Sequence, residues 1–208
     1  MYLKTNTTNC TITSYELRIT SYLFFMYHSG DQLINPQLLF AKAQLRKNMY
    51  IADFGCGRTG HIIFPAAKLI GEHGLIYAVD IMKDILENIN KRARMHNMGN
   101  IHTVWSDLEM VGKTAIPEKS LDIVFIINSL FHMKNKTNVL NEAIRLLKSK
   151  SRLIIVDWIA NNLNIGPKGD ELVDFSQIKS WAQNNNFTVQ EEFPVSAYHV
   201  GIVLYKNE

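Results

Sequence analysis

A chain of 208 residues with 47% hydrophobic and 20% charged residues has the size and composition of one globular domain with a full core. A net charge of +3 does not by itself demand a nucleic-acid partner, and two cysteines, Cys10 and Cys56, exclude a disulfide framework. No apolar run reaches the roughly 20 residues of a membrane-spanning helix, and Tyr22 to Tyr27 lacks the basic start and cleavage site of a signal peptide, so a reducing, cytoplasmic setting is expected.

Residues 1–28 stand apart in composition. Thr5 to Thr13 is polar and rich in Thr and Asn, and Thr13-Ser14-Tyr15 recurs as Thr20-Ser21-Tyr22. The stretch reads as an N-terminal extension of uncertain order: a poorly ordered one, one carrying an added helix from about Ser14 to Tyr27, or one lying upstream of a working start at Met26. Residues 29–208 form one domain. Asn35 and Pro36 supply an N-cap and a first helical position, and the helix they open breaks at Lys47-Asn48. Met49 to Ala52 is a buried strand. It gives way at Asp53 to a loop carrying Gly55, Gly57 and Gly60, and Ile62 to Ile70 is helical until Gly71.

Leu75 to Val79 is a second strand, closed by Asp80. Residues 83–98 are a helix with Ile85, Leu86, Ile89, Ala93 and either Met95 or Met98 inward, and Gly99 is its C-cap signal. Lys91, Arg92 and Arg94 near its end suit the helix macrodipole. Ile101 to Trp105 is a third strand ending at Ser106-Asp107, and residues 109–119 read as loop. Leu121 to Ile127 is a central parallel strand. Asn138 to Leu147 is a helix, Leu153 to Val156 a fifth strand ending at Asp157-Trp158, and Phe175 to Asn184 a helix. Thr188 to Phe193 and Val200 to Tyr205 are joined too tightly for a crossover helix, so they form an antiparallel hairpin. Alternation of strands and helices predicts an α/β fold, a Rossmann-like three-layer sandwich.

Strand, glycine loop, helix brings a backbone close to a cofactor. The spacing fits a nicotinamide dinucleotide as well as other adenosine cofactors. Asp80 stands where ribose hydroxyls need an acceptor, and Asp107-Leu108 offers one polar and one apolar contact to an adenine edge. With these features the chain resembles the class I S-adenosylmethionine-dependent methyltransferases over residues 30–208, and Asp157-Trp158, Gly166-Pro167 and Tyr198 to Gly201 resemble a small branch close to the ubiquinone/menaquinone-type enzymes. The resemblance implies a seven-stranded, mostly parallel sheet in the order 3-2-1-4-5-7-6 with an antiparallel last strand. It also implies S-adenosyl-L-methionine as cofactor, bound by Asp53, Gly55, Cys56, Gly57, Gly60, Asp80, Ile81, Asp107, Leu108 and Asn128. Backbone N–H groups near Gly57 are expected to meet the cofactor's carboxylate.

Methyl transfer to a good nucleophile needs alignment and dryness more than acid–base chemistry. If a base is used, His132 is the candidate and His199 the lesser one, and Phe131 and Trp158 are candidate walls for an acceptor. No metal site is expected. Asn128-Ser129-Leu130-Phe131 departs from the Asn-Pro-Pro-aromatic pattern of amino-group methyltransferases, and two cysteines do not supply the thiolates of arsenite methylation. The expected acceptor is a small molecule. Lys134, Lys136, Lys148, Lys150 and Arg152 leave an RNA acceptor as a lesser alternative. A non-catalytic cofactor-binding protein and a nicotinamide-dependent oxidoreductase are the other classes.

Overall fold

A computed structural model describes residues 33–159, 167 and 169–208. The N-terminal extension, the boundary at residue 28 and Gly166 lie outside the described residues. Five strands run parallel: β1 (Tyr50–Phe54), β2 (Leu75–Asp80), β3 (Ile101–Trp105), β4 (Leu121–Ile127) and β5 (Leu147–Trp158). With β6 (Phe187–Pro194) and β7 (His199–Lys206) the sheet order is β3-β2-β1-β4-β5-β7-β6, as the resemblance implied. β7 runs antiparallel to both neighbours, so the hairpin places an interior strand as well as an edge.

The central strands are apolar on both faces because helices cover both. α1 (Pro36–Ala43), α2 (Ile63–Ile70) and α3 (Lys83–Met95) pack with Ile51, Ile123, Phe125 and Ile154 on one face. α4 (Lys136–Leu146) and α5 (Phe175–Asn184) pack with Ala52, Val124, Leu153 and Leu204 on the other. Each large side chain buried this way contributes about 1.5–3 kcal/mol relative to exposure. Phe40 of α1 meets Phe125 of β4 edge to face at 5.9 Å, an arrangement worth about 1 kcal/mol beyond its area. Asn35 caps α1 as expected, accepting from the Gln37 N–H at 3.0 Å.

Three local expectations are corrected. α3 ends at Met95, and Asn97 at φ 53° makes the left-handed turn assigned to Gly99. Met98 then folds onto the core while Met95 points to solvent. α4 stops at Leu146 and β5 begins at once, six residues before the expected strand start at Leu153. The register jumps from Leu121↔Leu147 to Ile123↔Arg152, so residues 148–151 form a bulge, with Lys150 at φ 58°. Its Lys-Ser-Lys-Ser composition hides the strand from a hydrophobicity reading.

Candidate functional site

The C-terminal ends of β1 to β4 converge, and the loops they feed build the site. β1 delivers Asp53, which is buried, and then turns through Gly55 and Gly57 at φ 76° and 63°. The two glycines have different reasons. A Cβ on Gly55 would lie 2.7 Å from the Cβ of Ser129, whose hydroxyl donates to the Phe54 carbonyl at 2.9 Å, so the loop is seated against the end of β4. A Cβ on Gly57 would meet nothing within 4 Å; there the backbone faces open space.

β2 delivers Asp80, whose two oxygens hold the loop. Oδ2 accepts from the Gly57 N–H at 3.2 Å and Oδ1 from the Met82 N–H at 3.0 Å. The Gly57 N–H is therefore engaged with Asp80 within the loop. Cys56 packs beside both acids, and burial, reinforced by Asp53 and Asp80, drives its thiol pKa far up. Burial thus favours the thiol, the less nucleophilic form. From α3, Arg92 donates to the carbonyls of Thr59 (2.6 Å) and Arg58 (3.4 Å) while its guanidinium lies 4.1 Å over the Phe64 ring. The sequence offered only a macrodipole role for this residue.

β3 leads into Ser106, whose hydroxyl pairs with that of Thr114 at 2.9 Å. Asp107 accepts from the Glu109 N–H at 3.0 Å, and Leu108 is buried. Two carboxylates pin this segment to α4 and the turn before it. Glu142, fully buried, accepts from the N–H groups of Gly112 (2.7 Å) and Thr114 (3.0 Å) and from Arg145. Burial would raise its pKa, but Arg145 and these donors outweigh it and hold it at about 2. Glu109 accepts from the N–H groups of Asn135 (2.6 Å) and Lys134 (3.3 Å).

β4 leads into Asn128, at φ 49°, and neither its side-chain oxygen nor its nitrogen has a hydrogen-bond partner although both are buried. A short 3-10 turn, Leu130–His132, follows. Burial lowers the His132 pKa, with Glu171 opposing. Asp157, at the end of β5, is fully buried beneath this turn and accepts from the Phe131 N–H at 3.2 Å.

Together these residues enclose a cavity of about 900 Å³. Asp53, Gly55, Cys56, Gly57, Asp80, Ile81, Asp107, Leu108, Asn128 and His132 all line it. Gly60 is not among the lining residues. At φ 59°, it leaves room for Ile89 and Phe64, each 2.7 Å from where a Cβ would stand. His199 is also off the wall: it is fully buried, its ring centre 4.2 Å from that of Trp158, its Nδ1 paired with Ser196 Oγ at 2.9 Å. Burial lowers its pKa to about 4. Trp158 is accordingly a core aromatic. Sequence reading missed Met82, Ile85, Glu109 and Met133 on the wall. The spacing of Met82 and Ile85, three apart at the start of α3, was the available signal. His61 lines the cavity too, but its Nε2–H donates to the Ile34 carbonyl at 2.7 Å, fixing the approach to α1.

The family model described as a methyltransferase domain matches residues 45–200. The chain belongs to this methyltransferase-domain family. It is similar to the aklanonic acid methyltransferase of Streptomyces sp. strain C5, 29% identical over 103 residues, covering 50% of this chain and 45% of that protein. The ubiquinone/menaquinone biosynthesis C-methyltransferase of Pseudoalteromonas translucida is 27% identical over 139 residues, covering 65% and 53%. The methyltransferase domain thus spans about half the length of these curated relatives. In fold it is similar to the crystal structure of a SAM-dependent methyltransferase from Aquifex aeolicus, with TM-score 0.76 and 19% identity, covering 89% of this chain and 97% of that one.

The cofactor this family implies is S-adenosylmethionine, which decides against the nicotinamide alternative. The cavity suits it on three observations. Asn128 brings buried polar atoms without partners, the loop at Gly57 is open where a side chain would stand, and acids close β1 and β2.

Proposed function

We propose that residues 29–208 form a domain that binds S-adenosylmethionine in this cavity and transfers its methyl group to a small organic acceptor. The observation that carries the reading is the convergence of the glycine loop, Asp80 and the unpartnered Asn128 on one cavity. Asp53 and Asp80 would hold the methionine and ribose parts, and Asp107 with Leu108 the adenine. Ile81, beside Asp80, adds apolar contact, and Cys56 lines the wall without reacting. The bound cofactor supplies an electrophilic sulfonium methyl, so the protein's task is to hold an acceptor in line and keep water out. Ile127, Met133 and Ile62 supply the apolar surface for that. His132 is the base where one is needed, because its lowered pKa leaves the imidazole neutral and able to take a proton near pH 7.

The names of the relatives, an aklanonic acid methyltransferase and a quinone-biosynthesis C-methyltransferase, support a small organic acceptor over RNA. Two residues of the basic cluster are also paired within the chain, Lys148 with Asp122 and Lys150 with Glu208, which supports the same preference. Among the described residues no helix is long and apolar enough to cross a membrane, and a cytoplasmic setting agrees with the free thiol of Cys56. Calorimetric titration with S-adenosylmethionine, S-adenosylhomocysteine and NAD tests the reading. Micromolar-range binding of the first two and none of NAD is expected; binding of NAD alone would overturn it.

A further inference from the structure

The acceptor side of the cavity rests on a carboxylate that never touches it. Asp157 has no solvent exposure. Its Oδ1 accepts from the Trp158 N–H at 2.9 Å and its Oδ2 from the Phe131 N–H at 3.2 Å, and the Leu130 backbone contributes a further hydrogen bond. Two of these donors belong to the turn Leu130–His132, which carries His132 and leads into Met133, both on the cavity wall. On its other side β5 accepts, through the Val156 carbonyl, from the Asn128 N–H at 2.9 Å. One end of β5 therefore organises the whole segment from Asn128 to Met133.

Assuming the methyltransferase reading above, we propose that Asp157 is a positioning residue for the acceptor wall: its carboxylate fixes the Leu130–His132 turn, and protonation releases that turn. The chemistry is one of donors and acceptors. An ionised carboxylate only accepts, which suits a site surrounded by backbone N–H groups. A protonated one carries an O–H that must itself donate, facing groups that donate too, so an N–H of the turn loses its partner. Of the titratable groups on the elements around Asp157, Lys136 of α4 acts on it, its positive charge favouring the carboxylate; His132 lies on the turn itself, and His199 of β7 is kept neutral by burial, while Glu142 and Arg145 of α4 pair with each other. Burial prevails over Lys136 and the hydrogen bonds, and brings the exchange to about pH 7.

Amide NMR of the full chain between about pH 5 and about pH 9 tests this. In the wild type the amide signals of Leu130, Phe131 and His132 should titrate together with a midpoint near 7. The shared midpoint should vanish in Asp157→Asn and persist in His132→Gln. Midpoints unchanged in Asp157→Asn, or lost in His132→Gln, would overturn the proposal. The carboxyl ¹³C signal of Asp157 in the wild type gives a second readout that needs no variant. It should share the amide midpoint, and a carboxylate that stays ionised to about pH 5 would overturn the assignment. Titrating the same samples with S-adenosylhomocysteine separates the two levels. Failure to bind at any pH would overturn the acceptor-wall role, while the amides decide independently whether Asp157 holds the turn.

Discussion

The cavity wall and the shell behind it divide into two halves built on opposite terms. Where β1, β2 and β3 end, polar groups are engaged with one another. Asp80 accepts from two backbone N–H groups, Arg92 closes on two carbonyls, Ser106 pairs with Thr114, and Glu142 takes two N–H groups and a guanidinium. Where β4 and β5 end and β7 begins, the polar groups are out of balance. Asn128 has buried atoms without partners in a left-handed conformation, His199 Nε2 is unpaired, and Asp157 carries a pKa pushed up to about 7. A buried polar group without a partner costs about 1–3 kcal/mol. Such a cost is tolerated where a ligand completes the set; on the cavity wall that group is Asn128, so the first half is a fixed cradle and Asn128 is where binding changes something.

The contrast breaks most severely at Gly55. Gly55→Val places a side chain at a φ of 76° and against Ser129, so cofactor binding should be abolished; wild-type affinity in a folded variant would remove the loop from the site. Next, Glu142→Ala leaves two N–H groups unpaired and takes from Arg145 its buried partner, leaving it the Thr114 carbonyl and the more distant Glu118, and urea unfolding should show a loss of about 3–5 kcal/mol. A loss confined to a few tenths would mean that the cradle is not held from α4. Asp80→Ala should weaken S-adenosylhomocysteine binding by about 1–3 kcal/mol in calorimetry.

On the other half the sign reverses. Asn128→Gly relieves a left-handed φ of 49° and deletes two unpartnered atoms, so stability should rise by about 1 kcal/mol while cofactor affinity falls. Lower stability would show that Asn128 is already satisfied in the empty protein.

The smallest effect is in pH dependence. Asp157 is raised from an ordinary 3.8 to about 7, so its contribution to stability is full below 3.8 and is lost as pH rises toward 7. His199 is lowered from 6.5 to about 4, so its contribution is present above 6.5 and is lost as pH falls toward 4. Between 4 and 6.5 these two slopes oppose each other. Asp157→Asn should therefore uncover a stability that increases with pH across this window, measured by denaturant midpoint; an unchanged profile would sink the pairing. Glu142, lowered to about 2, acts only below its ordinary 4.5, where its contribution is lost as pH falls.

Much of this was legible in the residues because it is local. Apolar runs such as Leu121 to Ile127 announce central strands, Asn35-Pro36 announces a helix start, and the Gly55–Gly57 turn follows directly from its strand. What stayed hidden depends on partners far along the chain. Arg92 reaches a loop 33 residues earlier, and Glu142 reaches a backbone N–H 28 residues earlier. On a helical wheel each is only a charged residue. The Gly57 N–H shows the same dependence: its acceptor, Asp80, lies 23 residues on. Gly60 was read through the family motif, whereas the structure shows a packing reason that needs Phe64 and Ile89 in place.

The position of β7 also bears on how the chain reaches this state. β6 is synthesised before β7 but bonds to the sheet only through it. Until residues 199–206 emerge, β5 displays an unpaired apolar edge and β6 has no place to dock. Such an edge is a template for pairing with another chain. A nascent chain halted between the two strands is thus an aggregation hazard, and its release from that hazard is a single late strand insertion.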